Sequence, residues 1–332
     1  MFDKARELIE SAQKIVIIQA ENPDGDSLGS TLALEEILGD LGKDVVLYCA
    51  IDIPKYMHYI QGWDRIVKDW PKDRDLAIIV DTSSALLMTK TFETAGVTHF
   101  MESHPVLVID HHAEVVGDLP FEHTLVNDLT SVATGQALYK MAIEAGWSIN
   151  PQAAENLFLS IQADSLGLTT QNTDADAYRV AAELVALGAN PSVIEGRRRE
   201  YMKKPADILA YKGELIGRIE YSLEGKLATV HIPWAEIEQY SDRYNPSVLV
   251  LDEMRLVEHV EIAVAIKTYP DGKLTGKIRS NVPIAGQVAG FFGGGGHDYS
   301  AGFKVFEDYD KIMTELVTAV DKALIDYESS IS

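Results

Sequence analysis

The sequence predicts an α/β protein: a first domain with a mostly parallel sheet flanked by helices, then a helical linker, then a smaller C-terminal α/β domain. Three observations carry this reading. Near-continuous apolar runs alternate with helix-period stretches through the first half, as in a parallel sheet covered on both faces. The texture changes near Asn190, where a polar, charge-dense stretch begins. Beyond it, alternating runs punctuated by Glu-Gly and Asp-Gly pairs point to a second, largely antiparallel sheet. The expected boundaries are 1–188 for the first domain, 189–215 for the linker and 216–332 for the second domain.

The elements follow in order. The N-terminal MFDKARELIESAQK reads as a charged amphipathic helix and not as a signal peptide. Strands are expected at KIVII (14–18), DVVLYC (44–49), DLAIIV (75–80), PVLVID (105–110) and HTLVND (123–128). Helices are expected at Ser27–Leu41, Ser131–Ala145, Pro151–Ala163 and Asp174–Leu187, with Ser27 and Ser131 as N-caps and Gly42 and Gly146 as C-terminal stops. PSVIEGRRREYMKKPADILAYKGELIG holds six basic and four acidic residues and reads as a connecting helix or helix pair. Strand-like runs IEYSLEGKLATVHI, HVEIAVAIKTYPDGKLTGKIRS and AGFKVF follow, and a helix from Tyr309 to Tyr327 closes the chain.

Composition narrows the function. The 332 residues include 29 Lys+Arg and 51 Asp+Glu, a net charge of −22, with 46% hydrophobic residues. That hydrophobic share is ordinary for a globular protein and argues against disorder. Cys49 is the one cysteine, so an internal disulfide is excluded and nothing points to an oxidising compartment. No apolar run reaches the roughly 18 residues needed to span a bilayer. A cytoplasmic protein with no membrane partner is expected. The acidity disfavours long DNA or RNA. It leaves room for a short phosphorylated ligand, and for carboxylates neutralised by bound cations.

Ligands of an open parallel sheet sit beyond the carboxyl ends of its strands. Four segments land there: Asp24 and Asp26 in AENPDGDSLGS, Asp81 after DLAIIV, Asp110-His111-His112 after PVLVI, and Asp164 at the end of the helix NLFLSIQA. Alone, each has an ordinary explanation as a turn, a cap or a packed histidine. Together, several carboxylates and two histidines at one sheet edge would repel unless cations neutralised them. Oxygen donors with imidazole suit Mn²⁺ or Mg²⁺, with Fe²⁺, Co²⁺ or Zn²⁺ as further candidates.

In order and spacing, AENPDGDSLGS (20–30), VDTSS (80–84), IDHH (109–112), ADSLGLTTQNT (163–173), KIRSN (277–281) and GGGGH (293–297) resemble the DHH/DHHA1 phosphoesterases. The similarity is to their bacterial branch of nanoRNA-degrading oligoribonucleases and 3′-phosphoadenosine 5′-phosphate (pAp) phosphatases. The resemblance implies a DHH catalytic domain, a DHHA1 substrate-binding domain and a two-metal Mn²⁺ site. It implies that Asp24 and Asp81 hold one metal, while Asp26, Asp81, His111 and Asp164 hold the second. Asp110 would orient His111, and His112 would contact the scissile phosphate or help protonate the leaving group. Arg279 and Ser280 would bind the terminal phosphate of the substrate. Gly294, Gly295 and Gly296 would let backbone N–H groups approach a phosphate, with His297 against phosphate or base. The implied reaction is in-line attack of metal-bound hydroxide. It would release 5′-mononucleotides from short oligonucleotides or pApA-type linear dinucleotides, or phosphate from pAp, and a homodimer is compatible with it.

Two positions depart from the family pattern. A histidine that would ligate the first metal is replaced by Ala20, which impairs that site, and Leu168 stands where an aromatic is usual. Three readings of Ala20 stay open: an enzyme with a modified first site, an engineered disabling substitution, or a nucleotide-binding protein that does not cleave. A pyrophosphate or polyphosphate hydrolase is a further alternative, because related families share the first domain's motifs. The basic excess between Val264 and Lys304 (Lys267, Lys273, Lys277, Arg279 and Lys304 against Asp271 and Asp298) reads mostly as solvated hairpin lysines. Arg279-Ser280 beside the glycine loop is the exception. Arg197, Arg198 and Arg199 read as decoration of the linker helix.

Overall fold

The computed structural model describes residues 2–112, 118–241 and 244–331. The chain divides into two compact units, Met1–Lys203 and Lys204–Ser332. Among the described residues, no helix is long and apolar enough to cross a membrane.

The first unit runs α1 (Asp3–Ser11), β1 (Lys14–Ile18), α2 (Gly25–Asp40), β2 (Asp44–Tyr48), β3 (Leu76–Val80), α3 (Thr89–Glu93), α4 (Val97–Ser103), β4 (Val106–Asp110), β5 (Thr124–Asn127), α5 (Thr134–Ala145), α6 (Pro151–Asp164), α7 (Ala175–Ala186) and α8 (Pro191–Tyr201). Its five strands lie in the order β2-β1-β3-β4-β5 and all pair in parallel. The order reverses between β1 and β3, which makes their carboxyl ends the switch point where a crevice forms. Side chains alternate between the faces. Ile15, Ile17, Ile78 and Ile109 enter a core with α2, α5 and α6, while Val16, Ile18, Ile79 and Val108 pack with α3 and α4 on the other face.

Small residues let three helices approach closely at that crevice. A Cβ on Gly25 would fall 2.4 Å from the Ala163 Cβ, and one on Gly29 would fall 2.7 Å from the Asn156 carbonyl oxygen. One on Gly135 would fall 2.1 Å from the Ser160 hydroxyl. The missing side chains therefore set the spacing of α2, α5 and α6.

Two expected caps are corrected. Asp24, not Ser27, caps α2: its carboxylate accepts the N–H groups of Asp26 and Ser27, and the Ser27 hydroxyl answers the Asp24 amide. Ser131 does not cap α5, whose N-cap is Ala133; the Ser131 hydroxyl instead donates to Asp128.

The second unit runs α9 (Ala206–Gly217), β6 (Glu220–Ser222), β7 (Leu227–Ile232), α10 (Trp234–Tyr240), α11 (Pro246–Arg255), β8 (Ile262–Thr268), β9 (Leu274–Ser280), α12 (Ala285–Phe291), β10 (Gly295–His297), β11 (Ser300–Val305) and α13 (Tyr309–Ile331). Its sheet has the order β10-β11-β9-β8-β7-β6, antiparallel except for the parallel pair β7–β8. One face packs on α12 and α13 and the other on α9, α10 and α11. The helices around Arg197–Leu215 divide between the units: α8 buries Ile194 in the first core, and α9 buries Ile208, Tyr211 and Leu215 in the second.

The helix spacing is testable. Gly29→Ala should destabilise the protein by about 1–3 kcal/mol, because the methyl group meets backbone that cannot rotate away. Gly39→Ala, on the same helix with nothing within 4 Å, should be neutral or slightly stabilising in the same urea unfolding series.

Candidate metal centre

Four chain segments converge at the β1–β3 switch point. The first turn of α2 brings Asp26, which is fully buried. One of its oxygens, Oδ2, accepts the Thr134 N–H at 2.8 Å. The other, Oδ1, accepts from Gly135 N–H at 3.3 Å, the Ser30 hydroxyl at 3.0 Å and the Ser160 hydroxyl. Thr134 and Gly135 open α5, which has no side-chain cap of its own. Asp26 supplies that cap from another helix, satisfying two orphan N–H groups.

Asp81 follows β3 with φ of 64°, the left-handed region that non-glycine residues rarely adopt. Its amide donates to the Ile109 carbonyl at 2.9 Å, and its carboxylate accepts the Thr134 hydroxyl at 2.9 Å. Burial raises its pKa well above the usual carboxylate range, and the charges of Asp26 and Asp24 push the same way. Asp164, the last residue of α6, is raised to about 6 by burial and by Asp26.

The histidine pair divides its work differently from expectation. The Asp110 carboxylate accepts the His111 and His112 backbone N–H groups and binds His112 Nδ1 at 2.7 Å. Asp110 therefore orients the His112 ring and not the His111 ring. That hydrogen bond also raises the His112 pKa. The His111 ring is held instead by the Ser131 carbonyl, 3.3 Å from Nδ1. A carbonyl only accepts, so Nδ1 carries the proton and Nε2 presents a lone pair.

That lone pair is the most informative atom in the structure. His111 Nε2 is buried with no hydrogen-bond partner. It faces Asp26 Oδ2 at 3.4 Å, Asp164 Oδ2 at 3.5 Å and Asp81 Oδ1 at 3.7 Å. Acceptors that face one another repel unless protons or a cation lie among them. Donors about 2.1–2.4 Å from one cation and at right angles to each other stand roughly 3.0–3.4 Å apart, close to this spacing. Imidazole with three carboxylates suits a divalent cation of the Mn²⁺ or Mg²⁺ kind. These residues fit one cation.

A second cation finds fewer donors. Among the described residues two candidate ligand clusters occur, Asp26-His111-Asp164 and Asp81-His111-His112. Asp24 is in neither cluster; its Oδ1 caps α2. Ala20 offers no donor, and the Glu21 carboxylate accepts the Thr91 N–H. Gln19 is fully buried with both amide atoms unpartnered.

In the second unit the expected phosphate ligands separate. Arg279 lies on β9, where its guanidinium donates to the Ile278 carbonyl and the Ser300 hydroxyl. Ser280 is fully buried and its hydroxyl donates to the Asp298 carbonyl, so it stabilises a turn and is not presented to a ligand. Gly294 serves packing, since a Cβ there would fall 2.3 Å from the Gly302 carbonyl oxygen. Gly296 has φ of 144°, and a Cβ there would fall 2.6 Å from the Ala301 Cα, whereas Gly295 is open. His297 pairs with Ser300 in β10, and its side chain lies outside the described residues.

Sequence reasoning missed several residues here. Thr134, Ser160 and the Ser131 carbonyl position the first-unit site, and the small residues of SVATG were the available signal. Lys267 and Lys277 are half-buried, not solvated. Ala265 pairs with Lys277 and Ala263 with Arg279, so Lys267, Lys277 and Arg279 share one sheet face. Burial lowers the pKa of both lysines, and each is lowered further by its cationic neighbour, Lys277 for Lys267 and Arg279 for Lys277.

Residues 14–161 match the DHH family, N-terminal domain. The first unit therefore carries a DHH-family N-terminal domain. The chain is 26% identical over 317 residues to the bifunctional oligoribonuclease and PAP phosphatase NrnA of Thermus thermophilus, covering 93% of this chain and 90% of that protein. The Bacillus subtilis protein of the same name is 20% identical, covering 92% of this chain and 94% of its own length. Among solved structures, an exopolyphosphatase-related protein from Bacteroides fragilis superposes with a TM-score of 0.82 at 19% identity, over 99% of this chain and 96% of that one. The exonuclease RecJ bound to manganese gives 0.52 at 15% identity, over 97% and 94%. These structures share the DHH fold.

Asp128 holds the loop that carries the Ser131 carbonyl, accepting from the Thr130 amide and from the Thr130, Ser131 and Lys140 side chains. Burial alone would raise its pKa, but these donors outweigh it and hold the value at about 2. A carboxylate depressed in the folded state stabilises above its unfolded pKa, and that contribution is lost as pH falls through the folded one. Asp128→Asn should therefore cost about 2 kcal/mol at neutral pH and flatten the loss of stability between about pH 4 and pH 2, as read by urea unfolding.

Proposed function

We propose that this protein is a metal-dependent phosphoesterase that hydrolyses short oligonucleotides to 5′-mononucleotides, dephosphorylates pAp, or does both. The observation that carries the reading is the unpartnered His111 Nε2 facing three carboxylate oxygens. The full-length similarity to proteins named oligoribonuclease and PAP phosphatase supports the substrate class. Mn²⁺ is the proposed ion, held by Asp26, Asp81, His111 and Asp164. When bound, it supplies charge neutralisation, Lewis acidity toward a phosphoryl oxygen and a lowered pKa for water.

The chain's own residues do the rest. Asp110 fixes the His112 ring through Nδ1 and raises its pKa. His112 is about half exposed, so its far nitrogen is available to give a proton to a leaving oxygen. The second unit serves as the substrate-binding domain, with Arg279, Lys277 and Lys267 as the cationic row for a terminal phosphate and the Gly295 region beside it. The net charge of −22 favours short ligands over long polymers.

A second reading, a nucleotide-binding protein that does not cleave, is favoured by Ala20 and by the use of Asp24 as a helix cap. Hydrolysis of pApA and pAp with Mn²⁺ separates the two. The enzyme reading expects turnover, a drop in kcat of about 10²–10⁴ for His112→Asn, and equal or faster turnover for Ala20→His. No turnover by either the chain with Ala20 or Ala20→His, with nucleotide binding retained, would establish the second reading.

A further inference from the structure

A cavity of about 530 Å³ opens in the first unit between the loop after β2 and the C-terminal end of α8. That is enough for a base with its sugar. Gly62, with φ of 94°, turns the loop so that Trp63 folds flat onto His58, with ring centroids 3.4 Å apart and planes 6° from parallel. His58 is fixed from behind, its Nε2–H donating to the Ile53 carbonyl at 2.9 Å. Tyr201, the last residue of α8, also lines the cavity, its ring centroid 6.2 Å from that of His58 and its plane tilted by 54°. A planar ring between two others needs roughly 7 Å, two stacking distances. Tyr201 is 44% exposed, and its ring must turn by about the 54° of its tilt to close on a base stacked on His58.

The charged lining sets the chemistry. Arg198 and Arg199 both pair with Glu195, whereas Arg197 lines the cavity. Its guanidinium is neutralised by Glu155, and its Nε–H is buried without a partner. The carboxylates of Asp64 and of Glu200, itself paired with Lys203, complete the rim. These carboxylates offer acceptors to N–H donors. We infer that this cavity binds a nucleobase carrying an exocyclic amino group, stacked on the His58–Trp63 pair under Tyr201 with its amine toward the carboxylates.

The test uses the full chain in EDTA and the nucleosides adenosine and uridine, followed by the Trp63 indole N–H signal in ¹H–¹⁵N NMR, assigned with Trp63→Phe. Because the probes carry no phosphate and no cation is present, the outcome is separate from the hydrolase reading. Adenosine should shift the Trp63 signal, uridine should bind at least about fivefold more weakly, and Tyr201→Ala should weaken adenosine binding at least about fivefold. Tyr201→Phe should keep the affinity within twofold, which tests the stacking even if the alanine variant unfolds. An unmoved Trp63 signal, equal binding of uridine, or loss of binding in Tyr201→Phe would overturn the inference.

Discussion

The carboxylate of Asp26 is the interaction on which the first unit depends. It is removed from water, which costs several kcal/mol unless donors replace the lost hydration. Those donors come from three helices: Ser30 on α2, Thr134 and Gly135 at the start of α5, and Ser160 on α6. They reach it only because Gly25, Gly29 and Gly135 let the helices touch. The same carboxylate turns Oδ2 toward His111 Nε2. Packing and site therefore share one group, and a change that loosens the helices also disperses the ligands. The left-handed backbone at Asp81 is held in the same way, by the Thr134 hydroxyl and the Ile109 carbonyl.

The sheet was legible in the sequence because parallel strands buried on both faces appear as unbroken apolar runs. LAIIV and VLVID are too short for a typical buried helix and rich in β-branched residues, which favours buried strands. The acidic and histidine clusters were legible because strand ends carry ligands in such folds, and Asp26, Asp81, His111 and Asp164 do meet. What the chain order hides is pairing at a distance. Asp26 caps a helix that begins 108 residues later, so Ser131 looked like the nearest cap. Asp110 neighbours both histidines in sequence, and only the backbone turn decides that its carboxylate reaches the ring of His112. Ser280 alternates with Arg279 along β9, and that period of two sends Ser280 into the core while Arg279 stays half-buried on the opposite face.

Charge is distributed to match the chemistry. The first unit gathers carboxylates whose pKa is raised by burial and then by mutual proximity, a state that bound cations would relieve. The second unit gathers Lys267, Lys277 and Arg279 on one sheet face, where burial and mutual repulsion make an anion welcome. Neither feature is visible in the overall −22, which sums the whole chain and only disfavours long polyanions.

The central claim is that His111 Nε2 and its three carboxylate neighbours are cation ligands. Anomalous diffraction from crystals soaked in Mn²⁺ tests it most directly. The account predicts a manganese peak within bonding distance of His111 Nε2, bounded by Asp26, Asp81 and Asp164. Manganese bound only elsewhere, with His111 Nε2 left uncoordinated, would contradict it.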